Sequence, residues 1–248
     1  MTAALQDLSP EIDFDAPPPE APLLLRGKLF PFRFSEGELN IHGQPVFAFE
    51  TPNSGLGTGT TVWDGSVVLA KYLESRYAPL GLSGVRVIEL GAGPGVAGFS
   101  AVALGAEVYL TDLPYCLPNL ELAAARNAHL PGRAHVAPLD WFAPAAALTA
   151  APAMAQASLV LGADVVWVEE LIPGLVDTLA TLLQRPGSTA LIAHQTRSTR
   201  GDELFLRHLT EARLRVQRVP RERQHPVFSD DVIAILHITT AGSEEAEL

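Results

Sequence analysis

The stretch VRVIELGAGPGVAGFSAVALGAEVYLTD, residues 85–112, constrains the fold more than any other part of the chain. It begins with apolar, largely β-branched residues, which are typical of a strand covered on both faces. Three glycines follow at once, a helical pattern then extends to about Leu104, and a second strand over Glu107–Leu110 leads to Asp112. This order predicts a βαβ unit of a nucleotide-binding sheet. In such sheets the ligand lies outside the carboxyl ends of the strands, where the glycine turn and Asp112 would meet.

The glycine turn is compatible with two classes of cofactor. The dinucleotide fingerprint GxGxxG needs a third glycine where this chain has Val96, so that pattern is incomplete. The spacing present is E-x-G-x-G-x-G beginning at Glu89, which resembles the first motif of class I S-adenosylmethionine-dependent methyltransferases. Bare glycine backbone can approach the methionine part of that cofactor, and Asp112 can accept hydrogen bonds from both ribose hydroxyls. In an alternative interpretation this segment binds no ligand: the glycines only form a tight turn, and Asp112 caps a helix.

Composition is that of a soluble globular domain. The 248 residues are 48% hydrophobic and 18% charged, which suits one α/β domain with a large core. The net charge of −11 argues against nucleic acid or an acidic membrane surface as a partner. Cys116 is the single cysteine, so an intramolecular disulfide is excluded. The histidines form no HxxxH pair, so we expect no metal site. No signal peptide or membrane span is visible, so we expect the chain in the cytoplasm, and also in the nucleus. We also expect a monomer.

The rest of the chain continues the alternation of strands and helices. Residues 1–22 are acidic and proline-rich, which predicts a disordered tail, and residues 241–248 form an acidic C-terminal tail. Residues 23–50 show short alternating apolar runs, which predict a small antiparallel β meander. Further strands are predicted over Ala134–Pro138, Ser158–Val166, Thr189–Ala193, Leu214–Val219 and Val232–Ile238. The pattern predicts an α/β fold with a Rossmann-like, doubly wound seven-stranded sheet that ends in an antiparallel edge hairpin.

Four segments in order resemble one family of class I methyltransferases. They are VWDGSVVLAKYLE from Val62, IELGAGPGVAG followed by TDLP, LDW at Leu139–Trp141, and LGADVVWVEEL from Leu161. The family is that of the protein-lysine methyltransferases which include the enzymes acting on valosin-containing protein and on Hsp70 chaperones. The resemblance covers about residues 30–239. It implies a methyltransferase domain over residues 23–240, S-adenosylmethionine as the cofactor, and a protein substrate such as a chaperone or an AAA ATPase.

The resemblance also implies roles for individual residues. Residues matching the family's cofactor contacts are Trp63, Glu89, Gly91, Ala92, Gly93, Asp112 (the ribose acid), Trp141 (beside the adenine) and Ala163 (a backbone contact). Asp164 opens the motif that follows the fourth strand, which in the family is Asp-x-x-Tyr or Asp-x-x-Phe. This chain has Asp-Val-Val-Trp, so Trp167 provides the aromatic side chain.

Elementary chemistry gives Asp164 and Trp167 roles in such a reaction. Methyl transfer is an in-line displacement by a neutral amine, whereas a free lysine has a pKa of about 10.4 and must first lose a proton. Asp164 can hold the incoming ammonium, and Trp167 can shape and dry the channel. In the alternative interpretation Asp164 is a helix N-cap and Trp167 is part of the core. Two other functions stay open: a small-molecule methyltransferase, or a catalytically silent protein that binds the cofactor and takes part in interactions.

Overall fold

The structure is a computed structural model that describes residues 28–51, 58–78 and 81–241. The strands are β1 (Leu39–Ile41), β2 (Gln44–Val46), β3 (Arg86–Leu90), β4 (Glu107–Asp112), β5 (Arg133–Pro138), β6 (Leu159–Ala163), β7 (Thr189–Gln195), β8 (Leu214–Arg218) and β9 (Ile233–Thr240). The helices are α1 (Asp64–Tyr77), α2 (Val96–Ala103), α3 (Leu117–Arg126), α4 (Pro144–Ala150), α5 (Ile172–Leu182) and α6 (Thr199–Glu211). The predicted tail at 1–22 lies outside the described residues, as does the C-terminal tail after residue 241.

Seven strands form one sheet in the order β5-β4-β3-β6-β7-β9-β8. The first five of these are parallel, and β9 pairs antiparallel with both β7 and β8. The chain leaves β3 toward one edge and returns to β6 on the other side of β3, so the strand order reverses between them. In open α/β sheets this reversal opens a crevice at the carboxyl ends of the two strands. The predicted doubly wound sheet with an antiparallel edge hairpin is confirmed.

Apolar side chains cover both faces of the sheet. Successive residues of a strand point to opposite faces, so Val87 joins the hydrophobic cluster with α1 and α2, and Ile88 joins the cluster with α5 and α6. Leu69 and Phe205, which are both buried, represent the helices on the two sides. This two-sided burial explains why the parallel strands read as continuous apolar runs in the sequence.

The described part of the N-terminal extension, residues 28–50, contains a hairpin where the sequence predicted a meander over residues 23–50; residues 23–27 lie outside the described residues. Within residues 28–50, β1 and β2 pair in antiparallel register and Phe34–Glu36 forms a turn of 3-10 helix. The aromatic residues before that turn pack on Phe228 instead of forming a strand, with ring centroids at 5.6 Å for Phe30. The Asp64 carboxylate at the start of α1 also accepts two backbone N–H groups of this extension, each at 3.1 Å. The extension is thereby fixed to the first turn of α1.

Two further segments differ from their sequence predictions. The fourth predicted strand, Ser158–Val166, is shorter in the structure because β6 ends at Ala163 and Asp164 takes a left-handed backbone conformation with φ of 54°. The segment 143–157, which carried little sequence signal, contains α4 and a short 3-10 turn over Met154–Gln156. Alanine has high helix propensity, and Pro144 at the first helical position fixes a suitable φ.

The chain contains two lysines, and each is bonded to an acid. Lys28 Nζ lies 2.6 Å from Glu50, and Lys71 Nζ lies 2.8 Å from Glu74 while donating to the Asn40 carbonyl. The side chain of Lys71 is 10% exposed. Among the described residues, no helix is both long and apolar enough to cross a bilayer.

Candidate active site

A pocket opens at the carboxyl ends of β3, β4 and β6, where the strand order reverses. Its empty volume is about 960 Å³, including the part open to solvent. The wall draws residues from the start of α1, the glycine turn after β3, the end of β4, the loop after β5 and the segment after β6. All ten residues that the sequence singled out line this pocket: Trp63, Glu89, Gly91, Ala92, Gly93, Asp112, Trp141, Ala163, Asp164 and Trp167.

The glycine turn after β3 presents bare backbone to the pocket. Gly91 has a φ of 61°, and a Cβ there would lie 3.0 Å from Val165 Cγ1 and 3.1 Å from Trp141 Cζ2. Gly93, with a φ of 54°, would carry a Cβ only 2.9 Å from the Gly59 carbonyl oxygen. Both the left-handed backbone and the close contacts therefore require glycine. Val165, Trp141 and the Gly59 carbonyl therefore pack directly against the backbone of this turn.

Asp112 ends β4 and fixes the glycine turn to the next strand. Its Oδ2 accepts the Gly93 N–H at 2.8 Å, and its Oδ1 accepts the Leu113 N–H at 2.7 Å. Burial raises the pKa of this carboxyl, and the two N–H donors oppose that shift. Each oxygen retains a lone pair, so an ionised Asp112 can still accept hydrogen bonds from a ligand.

Glu89 lies deeper, within β3, with 1% of its surface exposed. Its Oε2 accepts the Gly98 N–H of α2 at 3.0 Å. Burial raises the pKa of this carboxyl to about 8, although the Gly98 N–H opposes the shift. A carboxyl with such a pKa is largely protonated near neutral pH.

The segment before α1, around Thr58 and Gly59, packs against the glycine turn. The Gly59 carbonyl approaches Gly93, and a Cβ on Gly59 would lie 2.8 Å from the Tyr115 hydroxyl oxygen. Trp63 is the residue before α1, and its Nε1 donates to the Thr58 carbonyl at 3.4 Å. These contacts join the segment around residue 58 to both the turn after β3 and the end of β4.

Aromatic and aliphatic side chains surround the pocket mouth. Leu113, Phe142 and Trp167 are 42%, 61% and 49% exposed, yet all three line the pocket. Large apolar side chains left partly in water around a cavity are typical of a ligand or protein contact site. Trp167 is therefore not the core residue that the alternative interpretation required.

Asp164 follows β6 and points its carboxylate into the protein. Oδ2 accepts the Gly65 N–H of α1 at 3.2 Å, and Oδ1 pairs with Arg197 at 3.3 Å. The side chain is 4% exposed. Burial raises the pKa of this carboxyl, and Arg197 is the strongest of the groups that oppose the shift. The carboxylate thus accepts from the first turn of α1, and no capping contact with the helix that follows Asp164 is seen among the described residues.

The structure adds residues that the sequence did not single out. Gly65 and Arg197 bond Asp164, while Gly59 and Tyr115 enclose the glycine turn. Arg197 follows the end of β7, so the rule that ligands bind beyond the carboxyl ends of strands could have marked it. Gly65 stands near the start of a predicted helix, where a glycine has no local reason to be preferred.

The pocket fits S-adenosylmethionine. The glycine turn lines the pocket with backbone that carries no side chain, and Asp112 offers acceptor positions at the strand end. Trp141 supplies an aromatic ring next to Gly91, and indole faces attract cations such as a sulfonium. Among the described residues, no group of three His, Cys, Asp or Glu side chains has a metal-binding arrangement. The fold and the site together define a class I methyltransferase.

Comparison with known proteins places the chain within that class. The family model described as lysine methyltransferase matches residues 44–212. The chain is 32% identical over 196 residues to EEF1A lysine methyltransferase 3 of Mus musculus, covering 79% of this chain and 81% of the relative. It is 38% identical over 178 residues to the protein N-lysine methyltransferase METTL21A of Danio rerio, covering 69% and 76%.

Solved structures agree at the level of the fold. A putative RNA methyltransferase from Pyrococcus horikoshii superposes with a TM-score of 0.52 at 15% identity, over 79% of this chain and 93% of that chain. Magnesium protoporphyrin IX methyltransferase from Synechocystis has a TM-score of 0.50 at 15% identity, over 76% and 91%.

The chain belongs to the lysine methyltransferase family. It is an S-adenosylmethionine-dependent enzyme that transfers a methyl group to the side-chain amine of lysine in a protein substrate. The predicted family, cofactor and reaction are confirmed. The dinucleotide and small-molecule alternatives do not agree with this membership.

Proposed function

We propose that the ten predicted residues divide this pocket into a cofactor end and an acceptor end. The observation that supports this division is their convergence from five separate segments on one crevice. At the cofactor end, Gly91, Ala92 and Gly93 provide backbone, Asp112 binds the ribose and Trp141 flanks the adenine. Trp63, Glu89 and Ala163 complete that wall. At the acceptor end, Asp164 and Trp167 receive the lysine.

The bound cofactor supplies a methyl group that is activated for displacement by an amine. The contribution of the chain is to align the lysine with the methyl group and to exclude water from the acceptor end. Trp167 provides a wall for the aliphatic stem of lysine, whose methylenes pack well on an aromatic ring. Asp164 gives that end a polar group that can accept a hydrogen bond from the amine. The proton that the lysine loses before it reacts goes to solvent.

The acceptor that we propose to test first is elongation factor 1A. This choice follows from the mouse relative, which is named for that target and shares 32% identity with the chain over most of its length. A chaperone or an AAA ATPase, implied by the sequence resemblance, is the next choice. We further propose that the enzyme acts as a monomer in the cytoplasm, with access to the nucleus.

The experiment is a methylation assay with labelled S-adenosylmethionine and three purified acceptors: elongation factor 1A, an Hsp70 chaperone and valosin-containing protein. We expect label on lysine of elongation factor 1A, located by mass spectrometry of tryptic peptides. Label on one of the other two proteins would replace the proposed target and leave the reaction intact. S-adenosylhomocysteine production without protein label in a whole-cell extract would contradict the proposed protein acceptor.

A further inference from the structure

Arg197 contacts two residues of the pocket without lining the pocket itself. One guanidinium nitrogen lies 3.3 Å from Asp164 Oδ1. The carbon at the centre of the guanidinium lies 5.2 Å from the ring centroid of Trp63, within the range of a cation–π contact. The side chain of Arg197 is 20% exposed. It therefore connects the end of β6 to the start of α1, between the acceptor end and the cofactor end.

The pairing changes what Asp164 can do to an incoming lysine. A lone buried carboxylate strongly favours a protonated partner, because an opposite charge within about 4–6 Å stabilises the charged form. A lysine held as ammonium has no lone pair and cannot react. With Arg197 bonded to Oδ1 and the Gly65 N–H bonded to Oδ2, the carboxylate is already neutralised and hydrogen-bonded.

The other charged groups near this pair are bonded to partners of their own. On β7, His194 Nε2 lies 2.9 Å from Asp202 of α6, and His194 is the other side chain whose charge stabilises ionised Asp164. In the turn after β6, Glu169 pairs with Arg200 at 3.0 Å. In α1, Asp64 accepts two backbone N–H groups. The remaining acids of the pocket wall are Glu89, Asp112 and Asp140.

We propose that Arg197 is a positioning residue that neutralises the Asp164 carboxylate, so that the acceptor lysine enters the pocket as a neutral amine instead of being held as an ammonium ion. The proposal rests on the acceptor role of Asp164 given above. The Asp164 carboxylate then provides a polar, hydrogen-bonded surface near the amine. Arg197 offsets the negative charge of this carboxylate. The proton goes to water, and no further group is needed to accept it.

The first measurement needs no protein acceptor. Carbon NMR of the full chain with labelled aspartate and bound S-adenosylhomocysteine follows the Asp164 carboxyl, which the Asp164→Asn spectrum assigns. We expect Arg197→Gln to raise the pKa of this carboxyl by about one unit, and Arg197→Lys to restore much of the difference. An Asp164 carboxyl that titrates identically in the wild type and in Arg197→Gln would overturn the proposal.

The second measurement is the pH dependence of the single-turnover rate with saturating elongation factor 1A. This profile reports the ionisation of groups in the complex, including the lysine. Arg197→Gln should move the midpoint about one pH unit toward alkaline pH, and Asp164→Asn should move it toward acid pH. The double variant Asp164→Asn/Arg197→Gln should return to the wild-type midpoint, whatever its maximal rate. Additive loss of rate with unchanged midpoints would show a structural role only.

Arg200→Gln is the matched control. Arg200 lies three residues further along, its side chain is 84% exposed, and it bonds Glu169 instead of Asp164. We expect no change in either measurement. If the wild type does not methylate elongation factor 1A, the proposed target fails, and the carboxyl titration alone decides the role of Arg197.

Discussion

Gly65 and Asp164, 99 residues apart in the sequence, meet at a distance that only glycine permits. The Gly65 N–H donates to Asp164 Oδ2 at 3.2 Å, and a Cβ on Gly65 would lie 2.5 Å from the same oxygen. The first turn of α1 therefore acts as a hydrogen-bond donor to the acceptor end of the pocket. Its free N–H groups also carry the positive end of the helix dipole, which favours a carboxylate.

Gly65→Ala should destabilise the protein, although alanine is a better helix former by about 1 kcal/mol. The added methyl group would displace the Asp164 carboxylate, and overpacking of this kind typically costs about 1–3 kcal/mol. Denaturant unfolding measures the change. In an Asp164→Ala background the methyl group has room, so the same substitution should cost much less there. Equal costs in both backgrounds would show that the two residues are not coupled.

Asp112→Ala should weaken S-adenosylmethionine binding by about 1.5–3 kcal/mol, the range for hydrogen bonds to a charged group. The substitution also removes the acceptor of the Gly93 N–H, so the glycine turn loses its link to β4. Titration calorimetry measures the affinity, with Asp177→Ala on the exposed side of α5 as a control. Unchanged affinity in Asp112→Ala would refute the ribose assignment.

Asp164→Asn keeps the shape of the side chain and removes its charge. Turnover per folded molecule should fall at least about tenfold, equivalent to about 1.4 kcal/mol, with little change in cofactor affinity. If Asp164 has only a structural role, the variant should melt at a lower temperature while the folded fraction retains full activity. Turnover normalised to the folded fraction separates these results.

Substitutions of Trp167 test the aromatic wall at the pocket mouth. Because 49% of the residue is exposed, its replacement should change stability little. Trp167→Phe should keep activity, since an aromatic face remains, and a wider channel should change the degree of methylation or the choice of target. Trp167→Ala should lose activity because the lysine stem has no surface to pack on. Mass spectrometry of the acceptor lysine reports both outcomes; full activity of the alanine variant would remove Trp167 from the acceptor site.

Glu89 should make the stability of the unliganded protein depend on pH. Its pKa is about 8 in the folded protein, against 4.5 for an ordinary glutamate, because burial disfavours the charged form. The folded state therefore binds more protons than the unfolded state between these values, and stability falls as pH rises through this window. Over the whole window the loss is on the order of 5 kcal/mol.

Glu89→Gln should remove most of that loss, because the amide oxygen can accept the Gly98 N–H at every pH. Denaturant unfolding at pH 5 and pH 8.5 tests the prediction, with the exposed Glu121→Gln as a control. Parallel pH profiles for the wild type and Glu89→Gln would contradict it.

The sequence predicted the sheet and the lining of the pocket because both depend on local patterns. Glycine spacing, an acid at a strand end and an aromatic residue three positions after Asp164 are all visible in short windows. The bonds of Asp164 to Gly65 and Arg197 are different, because they join segments 99 and 33 residues away. Only the packed tertiary structure brings these three residues together.

The N-terminal extension shows a second limit of local patterns. Its phenylalanines alternate like those of a strand, but the first of them pack on Phe228 of the loop before β9. Burial against a distant aromatic residue overrides the local β preference, which is weak and depends on context. In the same way, the strand predicted through Val166 stops at Ala163, where Asp164 turns toward α1.

The scarcity of lysine in this chain has a consequence for the enzyme as its own substrate. Both lysine amines that it could modify in a second copy of itself are ion-paired, and that of Lys71 is also largely enclosed. Arginine supplies the remaining fifteen of its seventeen basic side chains, and arginine offers no primary amine. Few lysines of a second copy therefore compete with the protein substrate, and methyl-lysine found in this chain at 26.4 kDa could come only from Lys28 or Lys71.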